Sequence, residues 1–306
     1  MSVNASPRMG LSEWGMLLLL ALIWGGSFLF SRIAVLEVPP LTLVFYRVAI
    51  AAFVLNMFLV FSRNKGGNPD RLWTRFAVMG LLNNIIPFSL IFYGQQEIGA
   101  GLAAIVNAMT PIWTILIAHV FTADERLNAN RIVGVALGFA GVALLIGLDS
   151  VDGLSGTAWG QIAVLGATIS YGCASVYGRT FQDVAPMQTA RGQLTASAIL
   201  MLPVAAITDQ FWTLPIPSAA AIWSVLLLAI VCTAIAYILF FTILARAGAT
   251  NISLVTLLVP VSAVILGALI LDETFAGRHL AGMTLIMLGL MVVDGRAIHW
   301  VLRRTK

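Results

Sequence analysis

One feature constrains this chain more than any other: long apolar runs follow one another from end to end. Ten lie near Trp14–Leu36, Leu41–Phe61, Leu72–Tyr93, Ala100–Phe121, Asn130–Leu148, Thr157–Gly178, Gln188–Thr208, Ala219–Leu244, Thr250–Leu271 and Arg278–Gly295. A helix needs about 20 apolar residues to cross a hydrocarbon core of roughly 30 Å. Only helices and closed barrels satisfy their backbone in lipid, and no alternating ten-residue strands are present. The first run exceeds the roughly 7–15 apolar residues of a cleaved signal peptide, so it is read as a span. Over 306 residues the chain is 60% hydrophobic and 10% charged, whereas a soluble domain has about a quarter charged residues. A cytosolic enzyme, a disordered chain and a nucleic-acid-binding domain are excluded. The expected architecture is an all-α integral membrane protein with ten transmembrane helices.

Charge placement sets the expected orientation. With a cytoplasmic N-terminus the inner segments hold Arg8, Arg63, Lys65, Arg71, Arg75, Arg126, Arg131, Arg179, Arg246, Arg296, Arg303, Arg304 and Lys306, while the outer side holds only Arg32 and Arg278. Such a bias is the positive-inside pattern of a multi-pass inner-membrane protein. Both termini are expected in the cytoplasm. The net charge of +4 then reflects topology and anionic headgroups rather than nucleic acid. Cys173 and Cys232 lie within apolar runs and form no disulfide framework or metal knuckle.

The chain also resembles itself at a separation of about 149 residues. Gly99-Ala100 returns as Gly248-Ala249 and Pro111 as Pro260. With one residue deleted, Asp124-Glu125 returns as Asp272-Glu273, Gly134 as Gly282, Leu137 as Leu285 and Gly141 as Gly289. Looser matches join Trp14-Gly15 to Trp159-Gly160, Arg32 to Arg179 and the Pro39-Pro40 corner to Pro186. The expected organisation is a first five-helix repeat over 1–150 and a second over 151–306. An odd number of spans forces the second repeat to cross in the opposite sense. Inverted-topology repeats around a central cavity are the build of many secondary transporters.

The run Ala21-Leu22-Ile23-Trp24-Gly25-Gly26-Ser27-Phe28, the Pro40…Arg47 pair and the Pro111…Glu125…Gly134…Gly141 series, repeated as Pro260…Glu273…Gly282…Gly289, resemble drug/metabolite transporters of the EamA type. The resemblance covers the whole chain. It implies an inner-membrane carrier exporting amino acids or other small metabolites by alternating access. The sixth span departs from it: Ile169-Ser170-Tyr171-Gly172 lacks a Trp-Gly pair, so Trp24 need not have a symmetric twin.

All acidic residues fall in connections or at span ends. A proton relay or cation site would place a carboxylate at membrane depth. The expected solute is therefore neutral or zwitterionic, an amino acid (aromatic ones included) or a similar metabolite. Arg47 is the informative interior charge, lying about six residues inside the second span, roughly 9 Å at 1.5 Å per residue. A structural pairing and a contact with solute or gate both remain open for it, and its nearest repeat counterpart is Gln193. Polar residues within spans are expected to line the cavity, since lipid tolerates them where they face protein or water. Asn83 and Asn84 lie in the third span, Asn107 in the fourth, Tyr237 in the eighth and Thr256 in the ninth. With Trp24 they form the candidate substrate-binding set. Pro87, Pro111 and Pro260 are expected to kink their helices. The glycines of the fifth and tenth spans are expected to pack those helices closely, against each other across the axis relating the two halves.

The rivals are a polytopic channel or receptor and, from a different class, an intramembrane enzyme. The enzyme would need HExxH, a G-x-S-x-G elbow or paired interior carboxylates; none is present, and there is no P-loop. No cofactor or metal is expected. The partners are a small-molecule solute and membrane lipid, with a monomer expected and the oligomeric state open.

Overall fold

The computed structural model describes residues 9–61, 72–123, 125–147 and 156–294. Arg8, Arg63, Lys65, Arg71, Arg296, Arg303, Arg304 and Lys306, which carry much of the charge bias, lie outside the described residues, as do Asp124 and residues 148–155. Among the described residues every regular element is helical and there is no strand. In chain order the rods are α1 (Leu11–Val35), α2 (Pro40–Phe61), α3 (Trp73–Glu97), α4 (Ala100–Phe121), α5 (Ala129–Ile146), α6 (Gly156–Tyr177), α7 (Pro186–Thr208), α8 (Ala219–Ala247), α9 (Val255–Ile270, preceded by the turn Ala249–Ile252) and α10 (Gly277–Asp294).

Eight of these helices are long and apolar enough to cross a membrane, and α9 is a shorter apolar helix. The helix α6 is 22 residues long but carries Gln161, Thr168 and Ser170, all buried. Its polar content goes inward, against other helices. Outward-facing side chains are large and apolar, among them Leu18, Leu19, Phe53, Ile199, Leu200, Trp223 and Leu269. Such a surface would aggregate in water and is matched to lipid.

Two helices contain a wider turn. In α3 residues Leu81–Ile85 are π-helical, and in α8 residues Ile230–Ile235 are. The starts of these turns are 149 residues apart, the separation of the sequence repeat. Their local causes differ. Pro87 follows the first turn in α3 and lacks the N–H that would bond the Asn83 carbonyl; a π turn absorbs such a break. In α8 the equivalent position is Ala236, and instead the Thr233 hydroxyl donates to the Leu228 carbonyl (2.9 Å). Pro111 is the second residue after a break at Ala108–Met109 in α4. Pro260 sits buried inside an uninterrupted α9, beyond an earlier break at Ser253–Leu254.

The closest helix approach joins α5 and α10. A Cβ added to Gly134 would lie 2.5 Å from the Gly289 carbonyl oxygen, and one on Gly289 would lie 2.6 Å from that of Gly134. Gly141 and Gly282 are related in the same way, at 2.7 and 2.8 Å. Partner numbers fall as Gly134 advances to Gly141, so the helices run antiparallel. Gly134 matches Gly282 in the repeat, and Gly141 matches Gly289. Each contact is therefore the other with the two copies exchanged, which is the self-complementary geometry of an isologous contact. Gly138 does not take part in the same way: its added Cβ would meet the end of Ile112 on α4.

A second equivalence bears on Trp24. Gly25 packs on the backbone of α9, where its Cβ would lie 2.9 Å from the Ala263 nitrogen, and Gly172 packs on α4, 3.1 Å from the Thr114 nitrogen. Thr114 and Ala263 are 149 residues apart. Tyr171-Gly172 thus stands where Trp24-Gly25 stands, and Trp24 has an aromatic counterpart after all. The rings differ, Trp24 against Tyr171, while a glycine sets the helix distance in both places.

Connections are tied by carboxylates. Glu37 accepts from the backbone N–H and hydroxyl of Ser218, both at 2.6 Å, and these bonds hold its carboxyl below the usual range. Asp209 accepts from the N–H (2.9 Å) and hydroxyl (2.8 Å) of Thr42. Glu273 accepts from Ala100 N–H (2.6 Å) and Gly101 N–H (3.0 Å), capping the start of α4 where the helix dipole favours an anion. Its repeat mate Glu125 instead pairs with Arg179 and Arg131. Arg75 lies 3.0 Å from Asp183 and lowers its carboxyl, chiefly by hydrogen bonding.

Candidate functional site

Interior polar side chains converge on the two π-helical turns. Arg47, on α2, is 7% exposed. Its Nε donates to Thr233 Oγ1 (3.0 Å) and its Nη2 to Ser27 Oγ (3.3 Å). The guanidinium lies over the Phe88 ring, 3.7 Å from the centroid, with Phe92 at 5.9 Å. Tyr171, Tyr237 and Cys232 are near enough to interact with its charge. No carboxylate pairs with Arg47 among the described residues, where every acid lies at a helix end or in a connection. A cation–π contact is worth about 2 kcal/mol when desolvated, against several kcal/mol to bury an ion. The ring alone does not offset the burial; the two hydroxyls must contribute.

The other π turn carries the matching group. Asn83 Nδ2 donates to Gln193 Oε1 and to Tyr237 Oη, each at 3.1 Å. Asn84 is fully buried, and its Nδ2 donates to Ser197 Oγ (3.1 Å) while its Oδ1 has no partner. Ser170 of α6 donates to the Leu82 carbonyl at 2.7 Å, taking up an acceptor of the widened turn. The correspondence between halves is residue by residue. Asn84 and Thr233 are 149 apart, as are Phe88 and Tyr237, and Phe92 and Phe241. Phe88 stacks on Phe92 at 6.3 Å, and Tyr237 on Phe241 at 6.1 Å. Arg47 reaches from α2 to the π turn of α8, and Gln193 from α7 to the π turn of α3.

Of the candidate residues, Asn83 and Tyr237 are bonded to each other. Trp24 joins them through a chain of rings: it lies 5.6 Å from Phe240, which lies 5.3 Å from Phe241, the stacking partner of Tyr237. Asn84 is turned to Ser197, in the packing between α3 and α7. Asn107 and Thr256 make no hydrogen bond to this group. The Asn107 carbonyl accepts from Thr110 Oγ1 (2.9 Å) and its Oδ1 is buried without a partner. The Thr256 hydroxyl donates to the Ser253 carbonyl (2.7 Å). Sequence reasoning missed Ser27 and Ser197, saw Gln193 only as the counterpart of Arg47, and left Tyr171 unpaired. The 147-residue spacing of Gly25 and Gly172 was the signal that would have matched Tyr171 to Trp24.

The family model of EamA-like transporters matches residues 13–147 and matches again at 158–293. The chain belongs to the EamA-like transporter family. It is similar to the probable amino-acid metabolite efflux pump of Escherichia coli strain K12, at 28% identity over 90% of this chain and 92% of that protein. The inner membrane transporter YedA of the same strain is 30% identical, with 94% and 92% covered. The transporter YoaV of Bacillus subtilis strain 168 is 25% identical, with 89% and 92% covered. A solved crystal structure superposes with a TM-score of 0.63 at 21% identity, covering 92% of this chain and 96% of that one; at that identity the likeness concerns the fold. The expected membership of a membrane transporter family is thus established. Its members are multi-pass membrane transporters rather than enzymes.

Proposed function

We propose that this transporter has ten spans in two inverted five-helix halves, 1–150 and 151–306, and moves small neutral or zwitterionic metabolites by alternating access. Amino acids are the favoured class, with export from the cytoplasm as the direction, in line with the printed name of the Escherichia coli relative. The observation that carries the reading is the convergence of interior polar groups from both halves on paired π turns. Halves with self-complementary contacts such as α5 on α10 can exchange conformations, one half adopting the arrangement of the other. Solute is proposed to bind among Trp24, Asn83 and Tyr237. Asn107, with its unpartnered oxygen, and Thr256 line the same depth from α4 and α9, and Asn84 supports the site from behind. A channel or receptor is the alternative; a substrate-independent ion current from the purified protein would favour a channel.

Two outcomes test this reading. Counterflow of labelled amino acids in proteoliposomes is expected to persist with equal pH on both sides and with a protonophore present. No described carboxylate lies within the interior of a helix to couple protons. Exchange that required a pH difference would assign coupling to a terminal histidine or a connecting acid. Reporter fusions at both ends are expected to give cytoplasmic signals; a periplasmic signal from either would remove the ten-span count.

A further inference from the structure

We infer that Arg47 is the receptor for a carboxylate of the solute, so that the transported molecule must bring the negative charge this interior lacks. The inference rests on the transport reading above and narrows its substrate class to carboxylate-bearing solutes. A guanidinium stays charged at any accessible pH and offers five N–H donors in a planar fork. Among the described residues only Thr233 and Ser27, both neutral hydroxyls, accept from it. Its Nη1 makes no hydrogen bond among them and is not one of the fully buried atoms left without a partner. The fork that matches a carboxylate in bidentate geometry is therefore unfilled.

The repeat makes the charge itself informative. Gln193 occupies the corresponding place in the other half, reaching the π turn of α3 as Arg47 reaches that of α8. A neutral side chain thus meets the packing and hydrogen-bonding needs of that place. The cation is extra to them, present in one half only, and seated beside Tyr237, which the Asn83 amide holds at 3.1 Å. Phe88 below the guanidinium and the nearby tyrosines Tyr171 and Tyr237 provide rings against which the rest of a small solute can lie.

The test uses the full chain in proteoliposomes. Each of the common L-amino acids is assayed by counterflow, and those that move are compared with their carboxamides, which keep the amine and side chain. At least one amino acid is expected to move at least about tenfold faster than its carboxamide, the discrimination of a site built around a bonded group. Arg47→Gln, measured per folded molecule, is expected to erase that ratio; Arg47→Lys keeps the charge without the fork and is expected to fall between. Amides moving as fast as acids in the wild-type protein would overturn the inference whether or not the variants fold. So would a folded Arg47→Gln protein that kept the ratio. If replacing chloride by sulfate reproduced the Arg47→Gln effect, the fork would hold an inorganic anion and the inference would be wrong. If no solute of any kind moved, the transport reading would fall instead.

Discussion

Replacing Gly134 or Gly289 with valine is expected to remove most folded protein from the membrane. The first carbon of the new side chain would meet a carbonyl oxygen at 2.5 or 2.6 Å. A backbone atom in the middle of a helix cannot swing aside, so α5 and α10 must separate along their length. Overpacking of this kind typically costs about 1–3 kcal/mol, and membrane helices, which gain little from hydrophobic exclusion, depend on close packing. Gly138 provides the internal control. Its added carbon would meet the flexible end of Ile112, which can change rotamer, so Gly138→Ala is expected to be milder than Gly134→Ala. Gly134→Ala and Gly282→Ala lie at the two ends of one crossing and are expected to be less than additive, because the first separation makes room for the second. Monodisperse protein by fluorescence-detected size exclusion and its Tm measure both effects. Equal losses at Gly138 and Gly134 would show that general crowding, not the reciprocal contact, governs the fold.

Much of this architecture is legible in residue order. The apolar runs mark the helices, and the returning Pro, Glu and Gly positions mark the repeat. Depth is legible too, since a residue number within a span converts to height at 1.5 Å per residue. Direction around the helix is what the sequence conceals. A soluble helix shows its inner face by an apolar stripe, but in α2, α8 and α9 apolar residues dominate every face and polar ones are few. The heights of Asn83, Tyr237, Asn107 and Thr256 are therefore readable, while which of them face one another is not. The π turns deepen the difficulty: one extra residue per turn rotates everything beyond it, and Asn83, Asn84 and Thr233 lie inside those turns. Helices α2 and α7 entered the polar group through Arg47, Gln193 and Ser197, whereas the hydroxyls of Thr110 on α4 and Thr256 on α9 made local bonds. The sole written hint was the repeat itself, which pairs Asn84 with Thr233 and Phe88 with Tyr237.

Neighbouring asparagines in α3 should separate binding from packing. Asn83→Ala is expected to lower counterflow per folded molecule about tenfold, because it removes an amide from the proposed solute site, and a hydrogen bond there is worth about 0.5–1.5 kcal/mol. Folded protein should stay within about twofold of normal, since an interhelical hydrogen bond in a membrane averages about 0.6 kcal/mol. Asn84 differs by one position and faces elsewhere: it is 0% exposed and bonded to Ser197 on the packed side. Asn84→Ala should therefore act on the amount and Tm of folded protein more than on counterflow per molecule. Tyr237→Phe tests the same group from the other half. It keeps the ring stacked on Phe241 (6.1 Å) and removes only the acceptor of the Asn83 amide, so it should fall in the same direction as Asn83→Ala by a smaller factor. The double variant should lose little beyond Asn83→Ala, as expected for two ends of one bond. Full additivity of the two losses would mean that Asn83 and Tyr237 act on transport separately, and the shared solute site would have to be given up.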